Sequence, residues 1–161
     1  MLVFDIGANA GNVTQKYLDL GYRVVAIEPQ PGCVTRLRER FKDSANVCIE
    51  DVAVGPVNKL IDFYCSNAST ISSCSVDWVS KSRFADRNYK WAKTIQVRQY
   101  TFDELIDKHG LPDIAKIDVE GYEPEVLSGL TKAIPLLYFE FSVEFIDKLR
   151  LCVAHIQRIG N

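Results

Sequence analysis

The sequence predicts an α/β protein with a central, mostly parallel sheet. Short apolar segments alternate with amphipathic ones at the spacing of strand–helix–strand units. A glycine turn, Gly7-Ala8-Asn9-Ala10-Gly11, joins the first apolar segment to the first amphipathic one. Acidic residues recur where the apolar segments end.

Val3, Phe4 and Ile6 form the first strand, interrupted by Asp5 at its carboxyl end. Gly7 and Gly11 bracket a turn in which the backbone bends sharply or approaches a ligand, and the next helix opens there with free N–H groups and a positive dipole end. Open α/β sheets hold nucleotide-like ligands at such places. The spacing of Val13, Tyr17 and Leu20 predicts a helix over 12–20, stopped by Gly21. Residues 22–27 read as a second strand ending at Glu28-Pro29, residues 31–41 as a helix opened by Pro31, and Val47-Cys48-Ile49 as a third strand ending at Glu50-Asp51.

The pattern then loosens. Residues 60–64 and 94–100 read as strands of a hairpin-like insertion. Residues 66–93 between them are rich in serine and then in Lys81, Arg83, Arg87, Lys90 and Lys93. This stretch is either a surface excursion or a lid over the ligand crevice. Thr101 and Glu104 fit a capping box for a helix to about Lys108, closed by His109-Gly110, which makes His109 a helix-end cation rather than a base. Residues 113–119 read as the fourth core strand, running into Asp118-Val119-Glu120-Gly121. A helix opens at Pro124-Glu125, residues 134–139 are the fifth core strand ending at Glu140, and residues 143–159 the last helix, where His155 is a surface or satisfied residue.

One domain over 1–161, with the insertion inside it, accommodates this pattern. Apolar content of 47% and charged content of 25% are those of a globular chain, and a formal charge of −2 gives no electrostatic case for nucleic acid or an anionic membrane. No apolar run is long enough to span a bilayer. The chain does not open like a signal peptide. Its five cysteines are odd in number and lack a CxxC pair, so neither a disulfide framework nor a zinc site is indicated, and a cytoplasmic setting is expected.

Asp5, Glu28, Asp51, Asp118, Glu120 and Glu140 all sit at or just past predicted strand ends. In a parallel sheet those ends share one rim, where the ligand crevice opens. Carboxylates there accept hydrogen bonds from hydroxyls, amines or a cation, or pair with Lys116 and the loop arginines. Glu28 stands where an acid grips the ribose hydroxyls of an adenosine-type ligand, and Asp51 is placed to reach an adenine amino group. The turn departs from G-x-G-x-x-G, with Asn9 at the second glycine. That departure and Asp5 argue against a pyrophosphate and suit a ligand with an ammonium group. A metal on Asp118, Glu120 and Glu140 is a weaker reading because no histidine joins them.

These residues resemble the S-adenosylmethionine-dependent methyltransferases of the Rossmann-like class, and more narrowly the FkbM family. The matching pieces are Asp5-Ile6-Gly7-Ala8-Asn9-Ala10-Gly11, Glu28-Pro29, Asp51-Val52-Ala53-Val54-Gly55, Lys116-Ile117-Asp118-Val119-Glu120-Gly121-Tyr122-Glu123 and Glu140-Phe141. The resemblance implies a Rossmann-like three-layer sandwich with strand order 3-2-1-4-5. It implies a site for S-adenosyl-L-methionine in which Asp5, Gly7, Ala8, Asn9 and Gly11 surround the methionine part, Glu28 and Pro29 the ribose, and Asp51 and Val52 the adenine. It also implies methyl transfer to oxygen of a small molecule or sugar. Asp118 and Glu120 are the candidates for orienting or deprotonating that acceptor hydroxyl. A homodimer is left open. Two further strands usually follow the fifth in such proteins, whereas the residues after Glu140 read as helix, so the expectation is a trimmed fold or a fragment. Two other readings stand beside this one: a nicotinamide-dependent oxidoreductase, and a binding domain that keeps the fold without turnover.

Overall fold

The computed structural model describes residues 1–85 and 87–160. The predicted insertion therefore contains one residue, Asp86, that lies outside the described residues, as does Asn161.

Five parallel strands form the main sheet: β1 (Leu2–Ile6), β2 (Arg23–Ile27), β3 (Val47–Glu50), β7 (Ile114–Ile117) and β8 (Leu136–Phe139). Their order is β3-β2-β1-β7-β8, the 3-2-1-4-5 order of core strands that the sequence predicts. The order in which strands are added reverses between β1 and β7, which is the switch point where an α/β sheet opens a crevice.

Helices α1 (Asn12–Asp19) and α2 (Pro31–Arg40) cover one face. Val3, Val24 and Ile114 pack there with Tyr17, Leu18 and Tyr22, and Ala26 packs with Leu37 and Phe41. Helices α4 (Phe102–His109), α5 (Glu123–Ser128) and α6 (Ile146–Ile159) cover the other. That face carries the main core: Phe4, Ile6, Val25, Ile27, Ala115 and Ile117 meet Phe102, Leu105, Val126, Leu127, Leu130 and Cys152. The central strands are apolar on both faces, as doubly covered parallel strands must be.

The α4 start forms as read from the sequence, with the Thr101 side chain accepting the Glu104 N–H at 3.1 Å. The Glu104 carboxylate, however, turns to the Asn58 amide instead of closing the box. His155 is satisfied, 2.8 Å from the Leu130 carbonyl. The last predicted helix begins as a 3-10 turn over Val143–Phe145, and among the described residues no strand follows β8.

The insertion differs from a plain hairpin. β5 (Lys59–Cys65) and β6 (Lys93–Tyr100) pair antiparallel, but β4 (Ala53–Val54) adds on the far side of β6 in parallel, giving a second sheet of order β4-β6-β5. Between its arms lie a 3-10 turn (Ser69–Ile71) and α3 (Val76–Lys81). These are anchored by Trp78, which is buried, packs at a tilt against the Phe145 ring and donates its indole N–H to the Ile71 carbonyl at 3.1 Å.

Candidate functional site

A cavity of about 230 Å³ opens at the carboxyl rim of β1, β2 and β7. Its floor is the glycine turn, its sides are Glu28, Val52 and Asp118 to Glu120, and Ser69, Thr70, Ser72 and Cys74 of the insertion roof it.

The turn is built by the backbone. Gly7, Gly11 and Asn9 all have positive φ, of 81°, 80° and 48°. Asn tolerates this region better than other side chains, which explains why it can replace a glycine there. A Cβ on Gly7 would lie 1.8 Å from the Asp118 carbonyl, so only glycine lets β1 and β7 close at this level. Four of the five N–H groups of the turn are committed, and that of Ala10, which lines the cavity, has no partner among the described residues. Gly7 and Ala8 donate to the Ile27 carbonyl at 3.0 and 3.1 Å, Asn9 to Glu28 Oε2 at 2.8 Å, and Gly11 to the Ala8 carbonyl at 2.8 Å.

Glu28 faces the cavity while only 5% exposed. Its second oxygen, Oε1, accepts the Gln30 N–H at 2.8 Å. Burial raises its carboxyl above the usual range, although the Gln30 and Asn9 amides and the Lys116 charge oppose the rise. Each oxygen keeps a lone pair for a hydroxyl of a ligand.

Asp5 is fully buried behind the turn and does not line the cavity. It accepts from the Thr14 hydroxyl at 2.7 Å, and its other oxygen lies 3.1 Å from Lys116 Nζ. Lys116 is itself buried but reaches the cavity wall, donates to the Gly7 carbonyl at 2.9 Å and lies 3.4 Å from Asp118. Burial alone would lower its ammonium, but the Asp5 and Asp118 carboxylates outweigh it and hold it above its ordinary value.

The β7–β8 side of the rim has a different electrostatic character. The carboxylates of Asp118, Glu120 and Glu140 lie within 4.8 Å of one another. Burial first, then Asp118, Glu140 and Glu123, push Glu120 up to about 9. A hydrogen bond with Asp118, then burial, raises Glu140 to about 7. Glu120 has φ 56°, a conformation costly for a non-glycine residue. The turn is held in it from three sides: the Ser73 hydroxyl donates to the Glu120 carbonyl at 2.7 Å, Lys148 to the Gly121 carbonyl at 2.6 Å, and the Val119 and Gly121 N–H groups both donate to Glu123 at 3.1 and 3.2 Å.

Of the residues singled out in the sequence, Gly7, Ala8, Asn9, Glu28, Pro29, Val52, Asp118 and Glu120 meet around this cavity. Asp5, Gly11 and Asp51 do not line it. Gly11 faces α2, where a Cβ would come within 2.5 Å of Phe41 and 2.8 Å of Leu37, so it is a packing glycine. Asp51 lies exposed in an ion pair with Arg38 at 2.9 Å. Sequence reasoning does not single out Phe63, Cys74 and Tyr122 for the wall, whereas the serine-rich stretch, read as either a surface excursion or a lid, contributes Ser69, Thr70 and Ser72 to it.

The sequence matches the family described as methyltransferase FkbM domain over residues 5–151. It is 29% identical over 157 residues to the 2-O-methyltransferase NoeI of Sinorhizobium fredii, covering 88% of this chain and 63% of NoeI. It is 26% identical over 152 residues to a probable ribosomal RNA small subunit methyltransferase A of Methanosarcina acetivorans, covering 83% and 55%. The chain thus spans less than two thirds of the length of these relatives. Two solved structures share the fold. A methyltransferase FkbM from Methylobacillus flagellatus superposes with a TM-score of 0.51 at 18% identity, covering 79% of this chain and 28% of that one. A precorrin-6y C5,15-methyltransferase from Geobacter metallireducens does so with 0.54 at 15%, covering 99% and 62%. No helix among the described residues is long and apolar enough to cross a membrane.

Proposed function

We propose, from the premise that the chain belongs to the methyltransferase FkbM domain family, that its cavity binds S-adenosyl-L-methionine and that its rim directs a methyl group onto a hydroxyl of a small molecule or sugar. The observation that carries the reading is Glu28: a carboxylate buried in the cavity wall, fixed by two backbone N–H groups, beside a turn whose own N–H groups, that of Ala10 apart, are spent. A pyrophosphate at that turn needs several free N–H groups and the second glycine of the dinucleotide fingerprint, whereas four of the five N–H groups are spent and Asn9 replaces that glycine, so the geometry favours an adenosine-bearing ligand without phosphates over a nicotinamide dinucleotide.

Glu28 and Pro29 take the ribose, Val52 the adenine with Asp51 beside it, and Gly7, Ala8 and Asn9 the methionine part. Asp5 and Gly11 act from behind, Asp5 by fixing Thr14 and Lys116, and Gly11 by leaving room for α2. When bound, the donor supplies an electrophilic methyl on a sulfonium. The chain's own task is positioning, which carries most of such a displacement. Asp118 accepts the proton of the acceptor hydroxyl, and Glu120, protonated at neutral pH, donates a hydrogen bond that orients it. No carboxylate needs to touch the sulfur, where it would stabilise the charged ground state more than the transition state. The relative named a 2-O-methyltransferase supports oxygen as the acceptor atom.

The test is isothermal calorimetry with S-adenosylhomocysteine and NAD on the wild type and on Glu28→Ala. Wild type should bind the former and not the latter, and Glu28→Ala should lose about 3 kcal/mol or more, the cost of two charge-assisted hydrogen bonds. Unchanged affinity in a folded Glu28→Ala would reject the assignment.

A further inference from the structure

Away from the cavity, the edge strand β3 and the end of α4 bring three dissimilar donor atoms together. Cys48 and Glu50 are two apart on β3, so their side chains share one face of the sheet. His109 is the last residue of α4, and its ring is held edge-on against Phe4 at 6.2 Å. The Cys48 thiol, a Glu50 oxygen and a His109 ring nitrogen all lie within 4.8 Å of one another. None of the three lines the donor cavity.

We propose that Cys48, Glu50 and His109 form a site for a divalent transition metal of the zinc class, pinning the sheet edge to α4. A thiolate, an imidazole and a carboxylate together suit this class and not magnesium or calcium, which take oxygen ligands alone. Three protein ligands leave the fourth tetrahedral position to water. Zinc–ligand bonds of about 2.0–2.3 Å require donors roughly 3–4 Å apart, so the group needs adjustment of about an ångström and no backbone rearrangement. His109 Nε2 and Lys108 Nζ currently share Glu50 Oε1, at 2.6 and 2.7 Å. Binding therefore displaces the Lys108 ammonium, takes neutral imidazole as ligand and releases the Cys48 proton to solvent. Lys108 is 54% exposed and can swing into water. The site ties together residues about sixty positions apart, which is why no local spacing in the sequence signals it.

Cobalt(II) is the probe, because a cobalt–thiolate bond gives a charge-transfer absorption that carboxylates and imidazoles do not. The chelator-treated wild type should bind one equivalent with this absorption. Cys48→Ser, at an exposed position, should remove the absorption and weaken zinc roughly a hundredfold in competition with a chromophoric chelator, since even outer-shell partners contribute ten- to a hundredfold. His109→Gln, which keeps the ring-sized packing on Phe4, should weaken it similarly. Lys108→Met, which removes the competing cation, should tighten it several-fold. No absorption in the wild type, or one surviving in Cys48→Ser and so arising at another cysteine, would overturn the proposal. So would unchanged affinity in Lys108→Met, because Glu50 would then not be a ligand. All arms read metal binding and none depends on methyl transfer.

Discussion

The two sides of the cavity rim use the same kind of residue to opposite ends. On the proposed donor side, Asp5 and Glu28 are each held by protein partners: Asp5 by a hydrogen bond from Thr14 and an ion pair with Lys116, Glu28 by two backbone amides. On the proposed acceptor side, Asp118, Glu120 and Glu140 crowd together, and Lys116, the one buried cation beside them among the described residues, is shared with Asp5. Carboxylates that are fixed and compensated make a rigid binding surface. Carboxylates that face one another hold protons near neutral pH and can exchange them. In the proposed reading the strand ends divide between holding and proton handling, and Lys116 stands on the boundary.

That boundary gives the largest expected effect. Lys116→Met leaves Asp5 buried with no cation, and removing one member of a buried pair costs about 3–5 kcal/mol. Asp118→Asn removes the other partner of Lys116, but its side chain is 37% exposed and the loss should stay within about 1 kcal/mol. Urea denaturation of the two variants measures the contrast. Equal losses would show that the rim is not divided as described.

The acceptor side predicts pH behaviour of a defined sign. Glu120 binds its proton up to about 9 in the folded protein against an ordinary 4.5. Between these values the folded state holds more protons than the unfolded one, so this residue makes stability fall as pH rises through that window. Glu120→Gln should flatten that decline in thermal unfolding measured from pH 5 to 9. For activity the direction is opposite. Below about 7, the Glu140 proton occupies Asp118. Methyl transfer should therefore rise with pH through that range, and Glu140→Gln, which keeps a hydrogen-bond donor on Asp118 but cannot titrate, should remove the rise. Glu120→Gln should lower kcat by about ten- to a hundredfold, at or below the lower end of general acid–base effects, with donor affinity unchanged. A matching loss of donor affinity would place Glu120 on the donor side instead.

The donor side was the more legible in sequence. Its residues lie within two strand–helix units, so Gly7, Asn9 and Glu28 are located by local pattern alone. The strand order came with the family resemblance rather than from the strand–helix alternation, and the sheet has it. What escaped is what depends on contacts across the chain. Nothing near Ser73 in sequence announces that its hydroxyl restrains Glu120, or that Trp78 packs on Gly121 to close the roof. Nor does an apolar run show that β4 will pair with β6. Gly11 shows the converse error. A glycine beside a ligand turn and a glycine under a neighbouring helix look alike until Leu37 and Phe41 are placed.

Asp51 gives the smallest and most discriminating comparison, because it stands between the two kinds of carboxylate. It is exposed, like Glu140, but paired with a cation, Arg38, as Asp5 is with Lys116. Exposed pairs of this kind contribute about 0–1 kcal/mol, so Asp51→Ala should barely move the unfolding midpoint. If Asp51 serves the adenine amino group, it must leave Arg38 to do so, and Arg38 competes with the ligand. Asp51→Ala should then weaken S-adenosylhomocysteine by about two- to tenfold, the worth of one net hydrogen bond. Arg38→Ala should strengthen it by a smaller factor. Calorimetry on both variants reads the two signs together. If both weaken binding, the ion pair shapes the rim as a unit and the adenine contact is not made by Asp51. If neither changes it, the adenine is held by the wall around Val52 alone.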